Sequence, residues 1–561
     1  MTARTPPVKK TFLLQPEWLM ALGLTLVAVW LHGFFLVHAG GFWRDEVNLI
    51  NLASNHSLGY MAQDSFPLLM PLVVHGWSGL GLAHSEVGLR SLGILIGLGI
   101  VAAFWLTAWT SRRSPPLLGL ALLAFNSTVI SCGDSIRAYG LGSLLIVLAA
   151  GAAWAFFKKP SWPRAGIFTV AAVLSVQALY QNAILIAAIC AGIFAVCARG
   201  KKWRAAIQIF LAGLVAAVSL LPYVPILVSG RAAMDALRTG LQLTRARDNL
   251  TIVTGFPYAP YRFVWCALAL GIIAGGCFAL RRRHANTTSP AADFSDEPAP
   301  EDLRLFAGTT LLAALAGYAG FLWFAALPTQ PWYFLPLLAL AAVCFDAGLP
   351  PLTGILRAVV LGFILVTAAL GARVAARDLN YRFTNIDFWA RQLAVQAAPG
   401  DFVIVTPWYC GISFDHYFKS PTPWTTVPPL PDHATHRYDL VKIQMQQADT
   451  LQPVLEKIVT TLAGGHRVWV VAGVGWMTIP AATAPPPALL PPPPLPASGW
   501  LDAPYTYTWT AQIAHLLRHH SLQFGRVDNP TAGMHIGENM ELFLADGWKN
   551  SNPTNSQAKN P

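Results

Sequence analysis

The stretch that decides the fold is WLMALGLTLVAVWLHGFFLVHAGGFWRDE, residues 18–46. Its apolar part, 18–38, is long enough to cross a bilayer as a helix, which takes about 20 residues. A cleavable signal peptide has a shorter apolar region and a small-residue cleavage site, and the site is missing here. The stretch therefore predicts a first membrane anchor, followed at once by Arg44, Asp45 and Glu46.

The composition of the whole chain agrees with a membrane protein. Of its 561 residues, 54% are hydrophobic and only 12% are charged, and the mean hydropathy is +0.48. An average soluble domain carries about 25% charged residues, so a cytosolic enzyme and a disordered chain are both excluded. The net charge of +11 could indicate nucleic acid, but the basic residues lie in short clusters between apolar runs. Clusters in that position mark cytoplasmic loops, so no nucleic-acid partner is expected.

Apolar runs of spanning length predict a polytopic α-helical membrane protein with about 11 spans. The predicted spans are 18–38, 86–109, 115–132, 139–157, 166–181, 182–199, 205–228, 262–280, 303–327, 331–348 and 352–371. A further apolar run, 66–82, is broken by prolines and glycines and is interpreted as a re-entrant or interfacial segment. Lys/Arg clusters in alternate loops place the N terminus in the cytoplasm, although the predicted outer loop 229–261 is also rich in arginine.

The chain changes character where the spans end. We predict a transmembrane domain over 1–371 and an outer α/β domain over 372–561, because β-rich runs such as 401–406 and 466–472 alternate with amphipathic helices. An odd number of spans puts this tail on the outer side. The nine prolines between 480 and 496 predict an extended polyproline insertion.

Carboxylates are sparse in the membrane part, yet two are adjacent at the outer end of the first span. Asp45 and Glu46 are costly to desolvate there, so a functional pair and a helix cap both fit the position. The next outer turn carries Asp134, Arg137 and Tyr139. An arginine at a helix N-terminus is favourable where an anion binds. The alternative is an arginine that reaches lipid headgroups or pairs with Asp134.

Three more groups of residues fall at the same predicted depth. Glu86 and Arg90 have the i, i+4 spacing of a helical ion pair, and the alternative is a role in holding the outer loop. Gln181 and Asn182 either line a polar pocket or bond between helices. Tyr333 opens the tenth span, where an aromatic belt is the simpler explanation. Carboxylates, an arginine, amides and tyrosines at one depth suit an enzyme that acts on a lipid with a phosphate headgroup.

In this order, the motifs resemble those of the GT-C fold glycosyltransferases that use polyprenyl-phosphate sugars. That group contains protein O-mannosyltransferases, lipid A aminoarabinose transferases and galacturonosyltransferases of the lipopolysaccharide core. The resemblance covers about residues 15–370, while the tail matches only in kind. The matching pieces are Arg44-Asp45-Glu46, Pro67-Leu68-Leu69, Ser85–Ser91, Ser135–Tyr139 and Trp332–Pro336.

The resemblance implies a catalytic transmembrane domain and a role for each residue. Asp45 would be the general base towards an acceptor hydroxyl, and Glu46 would orient the acceptor or the loop. The leaving group is already a phosphate anion, so it needs positive charge rather than a general acid. Arg44, Arg137, Tyr139 and Tyr333 would hold the donor phosphate and lipid, and Asp134, Glu86, Arg90, Gln181 and Asn182 would support the pocket.

The resemblance also implies the partners and the setting. A hexosyl- or pentosyl-transferase would move a sugar, with inversion, from a polyprenyl-phosphate donor to a glycan, lipid or protein acceptor. Membrane lipids would surround the enzyme. No cofactor is required, and a divalent metal is compatible with Asp45 and Glu46 although no cluster demands one. The expected place is the inner cell membrane, as a multi-pass protein with a cytoplasmic N terminus and a periplasmic tail.

Two departures from the group's pattern bear on the substrate. Ser135 stands where members often carry an acid, two residues before Arg137. Aminoarabinose-type members carry a lysine before the Pro-Pro-Leu stretch, where this chain has Asp64 to Pro67. The missing lysine leaves the donor phosphate one cation short, which argues against that particular sugar.

Two other functions stay open from the sequence, and so does the role of the tail histidines. The first is a transporter or flippase of lipid-linked sugars, for which no inverted repeat with broken helices is found. The second is a non-catalytic scaffold for the outer domain. In the tail, His515 and His519 have zinc-ligand spacing without a third ligand, and His433 and His436 lie in a proline-containing loop, so no metal site is predicted.

Overall fold

The structure is a computed structural model. It describes residues 15–63, 66–112, 114–233, 242–282, 299–326, 328–349, 353–477, 488–491, 502–528 and 534–549. The basic leader before residue 15, Asp64, Arg113, Arg283 and most of the predicted proline-rich insertion lie outside these ranges.

The membrane part is a bundle of helices, as its apolar composition requires, because only a helix satisfies its own backbone in lipid. Its helices are α1 Pro16–His38, α2 Arg44–Ala53, α3 Leu58–Met61, α4 Leu69–Gly79, α5 Glu86–Arg112, α6 Leu117–Leu123, α7 Ser127–Gly133, α8 Ala138–Lys158, α9 Trp162–Ala178, α10 Asn182–Arg199, α11 Trp203–Val218, α12 Val224–Ala233, α13 Leu243–Thr254, α14 Tyr261–Arg282, α15 Pro300–Ala325, α16 Leu335–Gly348 and α17 Gly354–Asp378. The short 3-10 helices Leu221–Tyr223 and Pro331–Phe334 lead into α12 and α16.

The predicted fold class is confirmed, whereas the predicted spans hold only in part. In the ranges described, nine helices are long and apolar enough to cross a membrane: α1, α5, α8, α10, α11 with its continuation, α14, α15, α16 with its preceding turn, and α17. The predicted single span 115–132 is wrong. It divides into α6 and α7 of seven residues each, because the side chain of Asn126 accepts hydrogen bonds from Thr128 N and Val129 N and starts a new helix.

Two other apolar runs form helices shorter than these nine. The run predicted as 166–181 forms α9, whose 17 residues extend about 26 Å. The run 66–82 forms α4, whose 11 residues are too few to cross a bilayer. A short helix next to the first loop therefore borders the region where the polar motifs meet.

The tail is a three-layer α/β domain. Its strands are β1 Arg382–Thr384, β2 Phe402–Thr406, β3 Trp424–Thr426, β4 Val468–Gly473, β5 Ser521–Val527, β6 Met534–Glu538 and β7 Met540–Trp548. Its helices are α18 Ile386–Gln396, α19 Gly411–Tyr417, α20 Tyr438–Met445, α21 Gln452–Ala463 and α22 Asp502–His520, with a 3-10 turn at Trp408–Cys410. The five-stranded sheet has the order β3-β2-β4-β7-β5, and β7 runs antiparallel to both neighbours. A separate parallel pair joins β1 to β6.

Side-chain alternation in the central strand places helices on both faces of this sheet. Val403 and Val405 of β2 pack against Trp389 and Phe414 from α18 and α19. The alternate residues Phe402 and Ile404 pack on the opposite face against α20, α21 and α22. All five residues of β2 are buried, as expected for a strand covered on both faces.

The tail rests on the first loop and on α2. The backbone N–H of Phe42 donates to the hydroxyl of Tyr417 at 2.6 Å. Further along α2, the side-chain amide of Asn51 donates to the carbonyl of Ala434 at 2.8 Å. The first loop is thus enclosed between the membrane helices and the tail, and its charged residues lie at the boundary of the two.

Candidate active site between the first loop and the tail

The first loop turns sharply before the charged residues. Gly40 has a φ of +73°, a left-handed conformation that favours glycine. The turn lets α2 start at Arg44, which puts both acids in the first helical turn, where negative charge is favourable. Consecutive residues on a helix point about 100° apart, so Asp45 and Glu46 face different surroundings.

Glu46 faces inwards and is completely buried. Its Oε1 accepts a hydrogen bond from Ile136 N at 2.9 Å and lies 3.4 Å from Nη1 of Arg90. The other oxygen accepts from Trp43 N at 3.4 Å. The same Arg90 also donates to the carbonyl of Gly41 at 2.8 Å. Glu46 therefore ties the first loop to α5 and to the turn before α8, which fits the orienting role towards the loop.

Asp45 faces the junction with the tail, and its side chain keeps 16% of its surface exposed. Oδ1 lies 3.1 Å from Nε2 of His436 and 3.7 Å from Nε of Arg44, and Oδ2 lies 3.6 Å from Nη2 of Arg137. Burial by itself would raise the pKa of this carboxyl. The charge of Arg137, the hydrogen bond with His436 and the charge of Arg44 outweigh burial and hold the pKa well below its ordinary value. Asp45 is thus an ionised, partly exposed carboxylate.

Arg137 is the residue immediately before α8. Its Nη1 donates to the carbonyl of Asp45 at 3.0 Å, and its guanidinium lies over the ring of Phe66 at 4.7 Å. The turn that carries it is held by close backbone contacts. A Cβ at Gly93 would lie 1.8 Å from the carbonyl oxygen of Asp134, and one at Gly140 would lie 1.9 Å from that of Gly133. The small residues of α5 and α8 therefore set the position of Arg137.

Asp134 does not pair with Arg137, so that alternative is wrong. Its Oδ2 lies 2.6 Å from Nδ1 of His32 in α1, and both side chains are buried. The pair connects α1 to Asp134 at the end of α7, three residues before Arg137 along the chain. Asp134 therefore supports the turn from behind.

Aromatic rings continue the site from Arg137 towards the membrane helices. The ring of Tyr139 stacks on that of Tyr333, with centroids 6.0 Å apart, and meets Phe66 edge-on at 5.2 Å. The carbonyl of Tyr333 accepts hydrogen bonds from the hydroxyl of Tyr318 and from the side-chain amide of Gln181. Gln181 thus supports this aromatic wall, formed by Phe66, Tyr139 and Tyr333.

The remaining predicted residues lie apart from this centre. Asn182 donates to the carbonyl of Gly142 at 3.0 Å, so it bonds between helices rather than lining a pocket. The predicted pair of Glu86 with Arg90 is wrong, because Arg90 turns inwards to Glu46. Glu86 instead pairs with Arg391 of the tail at 2.9 Å.

Arg44 faces the tail. Its backbone N–H donates to Oε1 of Glu538 at 2.9 Å, and its Nη1 lies 3.2 Å from the same oxygen. The guanidinium also lies over the ring of Tyr409 at 4.4 Å. Burial raises the pKa of Glu538, and the charge of Arg44 acts against that increase. Arg44 is therefore held by a buried carboxylate of the tail.

The sequence assigns no role at this site to any residue of the tail. From the sequence, His436 is considered only as a metal ligand; it lies 391 residues from Asp45 along the chain, and no motif surrounds it. Glu538 ends strand β6 and Tyr409 lies in the 3-10 turn Trp408–Cys410, and neither belongs to a recognisable motif. Their proximity follows from docking of the tail, which no local pattern encodes. In the described part of the chain, no group of three or more His, Cys, Asp or Glu side chains comes together that could hold a metal ion.

Comparisons with known proteins yield similar structures but no match in sequence. No protein-family model matches the chain, and neither does any curated protein. ArnT from Cupriavidus metallidurans in the apo state shares 11% identity over 81% of this chain and 92% of that chain, with a TM-score of 0.49. ArnT from the same organism bound to undecaprenyl phosphate shares 12% identity over 81% of this chain and 93% of that chain, with a TM-score of 0.35.

A second protein is similar over a comparable share of the chain. Oligosaccharyltransferase AglB from Archaeoglobus fulgidus, in complex with an inhibitory peptide and a dolichol-phosphate, shares 11% identity over 82% of this chain and 70% of that chain, with a TM-score of 0.47. ArnT is an aminoarabinose transferase. Both proteins are GT-C fold glycosyltransferases, the group that the sequence motifs resemble.

Proposed function

We propose that this chain is a membrane glycosyltransferase that moves a sugar from a polyprenyl-phosphate donor to an acceptor hydroxyl on the outer face of the membrane, with inversion. One observation carries the proposal. The ionised, partly exposed carboxylate of Asp45 lies 3.6 Å from the guanidinium of Arg137, beside the aromatic wall. A base and a phosphate-binding cation next to an apolar surface are what this reaction needs.

Arg137 is assigned to the donor phosphate. A guanidinium and a helix N-terminus both favour a phosphate, and the leaving phosphate needs that positive charge. The aromatic wall next to it offers apolar surface to the first isoprene units. Arg137 is chosen for the donor phosphate because it stands at the start of α8 and beside the aromatic wall, while Arg44 keeps its contact with Glu538.

Asp45 is assigned as the general base. It accepts the proton of the acceptor hydroxyl while the hydroxyl oxygen bonds to the anomeric carbon and the carbon–phosphate oxygen bond breaks. Before the donor binds, Arg137 holds the carboxylate and lowers its basicity. A donor phosphate that shares Arg137 relieves part of that charge, so the base becomes stronger when substrate is present. Displacement with the base and the leaving group on opposite faces inverts the sugar carbon.

Glu46 and Arg90 are assigned to holding this geometry. Their buried contact fixes α2 against α5 and against the turn of Arg137. The base and the phosphate-binding cation are then kept at a set distance by groups that never meet the substrate. The acceptor is a hydroxyl of a glycan, a lipid or a protein, which reaches Asp45 from the side of the tail.

The test uses the full chain in proteoliposomes. A panel of undecaprenyl-phosphate-linked hexoses and pentoses, radiolabelled in the sugar, is supplied with extracted envelope lipids, glycans and proteins as acceptors. We expect a new glycosidic product and free undecaprenyl phosphate, detected by mass spectrometry, and neither with Asp45→Asn. Labelled sugar that crosses the bilayer without a new product would instead show a transporter or flippase.

A further inference from the structure

A segment of the tail before α20 lies across the first turns of α2. The backbone N–H of His436 donates to Oδ1 of Asn48 at 3.0 Å, and Asn51 donates to the carbonyl of Ala434. The imidazole then reaches the site, with its Nε2 3.1 Å from Oδ1 of Asp45. Two backbone contacts and one side-chain contact thus place a histidine of the tail against the proposed base.

Aromatic rings fix the plane of this imidazole. Tyr438 stacks on His436 with centroids 5.8 Å apart and an angle of 20°, while Trp408 meets it edge-on. The side chain is 16% exposed, and its Nδ1 has no hydrogen-bond partner among the residues the structure describes. The contact through Nε2 with Asp45 is therefore the hydrogen bond that orients the ring.

The charged groups around the imidazole have opposite effects on it. From α2, Oδ1 of Asp45 contacts the imidazole and also lies near Arg44. Arg137, before α8, lies near the other oxygen of Asp45. From the tail, the phenol of Tyr438 lies on its face, and the carboxyl of Asp502 lies behind Trp408, whose indole donates to it. Asp45 is the nearest of these groups, so the histidine and the proposed base are coupled.

We propose that His436 is a positioning residue for Asp45, through which the tail controls the proposed base. This inference rests on the proposed function. As a neutral ring, His436 donates its Nε2–H to Oδ1, so that Oδ2, which faces Arg137 before the donor binds, is the oxygen that takes the proton of the acceptor hydroxyl. As an imidazolium, it adds a third positive charge beside Asp45, which weakens the base. Transfer is therefore slower when the ring is charged, although Asp45 is still ionised.

The pH profile separates this role from a structural one. Histidine is the side chain that titrates between about pH 5 and 8, whereas the pKa of Asp45 lies well below its ordinary value. If Asp45 alone set the acid limb of kcat/KM, which reports the free enzyme, the limb would lie below about pH 4. With His436 in control, we expect the acid limb of the wild type to lie at a higher pH than that of a variant without the imidazole.

Two substitutions and one control make the test. His436→Gln keeps an N–H donor near the position of Nε2 but has no charge to gain. His436→Ala removes both the donor and the charge. His433→Gln is the matched control, because this nearby histidine lies against the ring of Trp424 rather than against Asp45. The full chain is assayed in proteoliposomes with the undecaprenyl-phosphate sugar that gives product with the wild type.

We expect His436→Gln to keep kcat on the alkaline side within about threefold of the wild type and to move the acid limb of kcat/KM to lower pH. We expect His436→Ala to lose about 10–100-fold in kcat, with the KM for the donor unchanged, because a misplaced base costs about that much. His433→Gln should match the wild type. An acid limb that stays in place in His436→Gln would overturn the proposal while leaving sugar transfer intact.

A second measurement is independent of catalysis. The full chain with 15N-labelled histidine is titrated by NMR in nanodiscs, and the signal missing in His436→Gln is assigned to His436. We expect the midpoint of that signal to be lower in Asp45→Asn than in the wild type, because the lost carboxylate no longer favours the imidazolium. A midpoint that does not respond to Asp45→Asn would overturn the coupling. If the wild type gives no product at all, the proposed function fails and this titration still decides the coupling.

Discussion

Asp45 and Glu46 are neighbours with the same chemistry, yet the structure gives them different surroundings. Glu46 is completely buried and accepts hydrogen bonds from two backbone N–H groups beside Arg90. Asp45 is partly exposed and faces Arg44, Arg137 and His436. A carboxylate enclosed by fixed partners suits a structural role, whereas the partly exposed one is available for the chemistry that we propose. A turn of about 100° on one helix separates the two roles.

The largest expected effect is on catalysis at Asp45. Asp45→Asn keeps the size of the side chain but removes the base, so kcat should fall by about 10²–10⁴-fold. The melting temperature should fall moderately, because the amide loses the ion pairs with Arg137 and Arg44, but the variant should remain folded. Measurements of product formation and of thermal unfolding on the same preparation check the expected kcat and the expected melting temperature. A variant that retains half of the wild-type kcat would contradict the base assignment.

At Glu46, the main expected effect is on stability rather than on catalysis. Glu46→Gln leaves Arg90 buried without its counter-charge, which should cost about 3–5 kcal/mol of unfolding free energy. Thermal unfolding in detergent measures the loss. The double variant Glu46→Gln/Arg90→Met removes the stranded charge and should recover part of the stability, as a coupled pair requires. Equal losses in the single and double variants would show that the two side chains do not act together.

The pH dependence of stability should also distinguish Asp45 from its amide. The folded state holds the pKa of Asp45 below its value in the unfolded chain, which is about 3.9. The group therefore adds stability above about pH 4, and that contribution disappears as the pH falls through the folded pKa. In the His436→Gln background, which lacks the coupled imidazole, the difference in melting temperature between the chain with Asp45 and the chain with Asp45→Asn should be constant from pH 7 to 5 and shrink below pH 4. A difference that grows on acidification would reverse the sign of the shift.

The smallest effect is expected at Glu86, a third carboxylate on the same side. Its pair with Arg391 is exposed, with side-chain exposures of 35% and 61%, so Glu86→Gln should cost less than about 1 kcal/mol. Activity should stay at the wild-type level. This variant serves as the control for charge removal near the site, and a loss of transfer as large as that of Asp45→Asn would undo the contrast between the three acids.

The site could be anticipated from the sequence only where its residues follow apolar runs. Asp45, Arg137 and Tyr333 each stand at the edge of a predicted span, and hydropathy alone put them at one depth. The predicted pairs failed, because spacing along a helix says nothing about a partner on another element. Arg90 contacts Glu46, 44 positions away, and not Glu86, which is one helical turn before it.

By itself, the sequence determined that this protein is a helical membrane bundle with an α/β tail. Long apolar runs and alternating apolar and polar residues are local patterns, and each indicates its element without reference to the rest of the chain. Only the tertiary structure decided that Glu46 is buried, that Glu538 holds Arg44 and that His436 meets Asp45. Those contacts join residues up to 494 positions apart. They arise from the way the tail docks on the first loop, and packing between distant surfaces leaves no periodic trace in either segment.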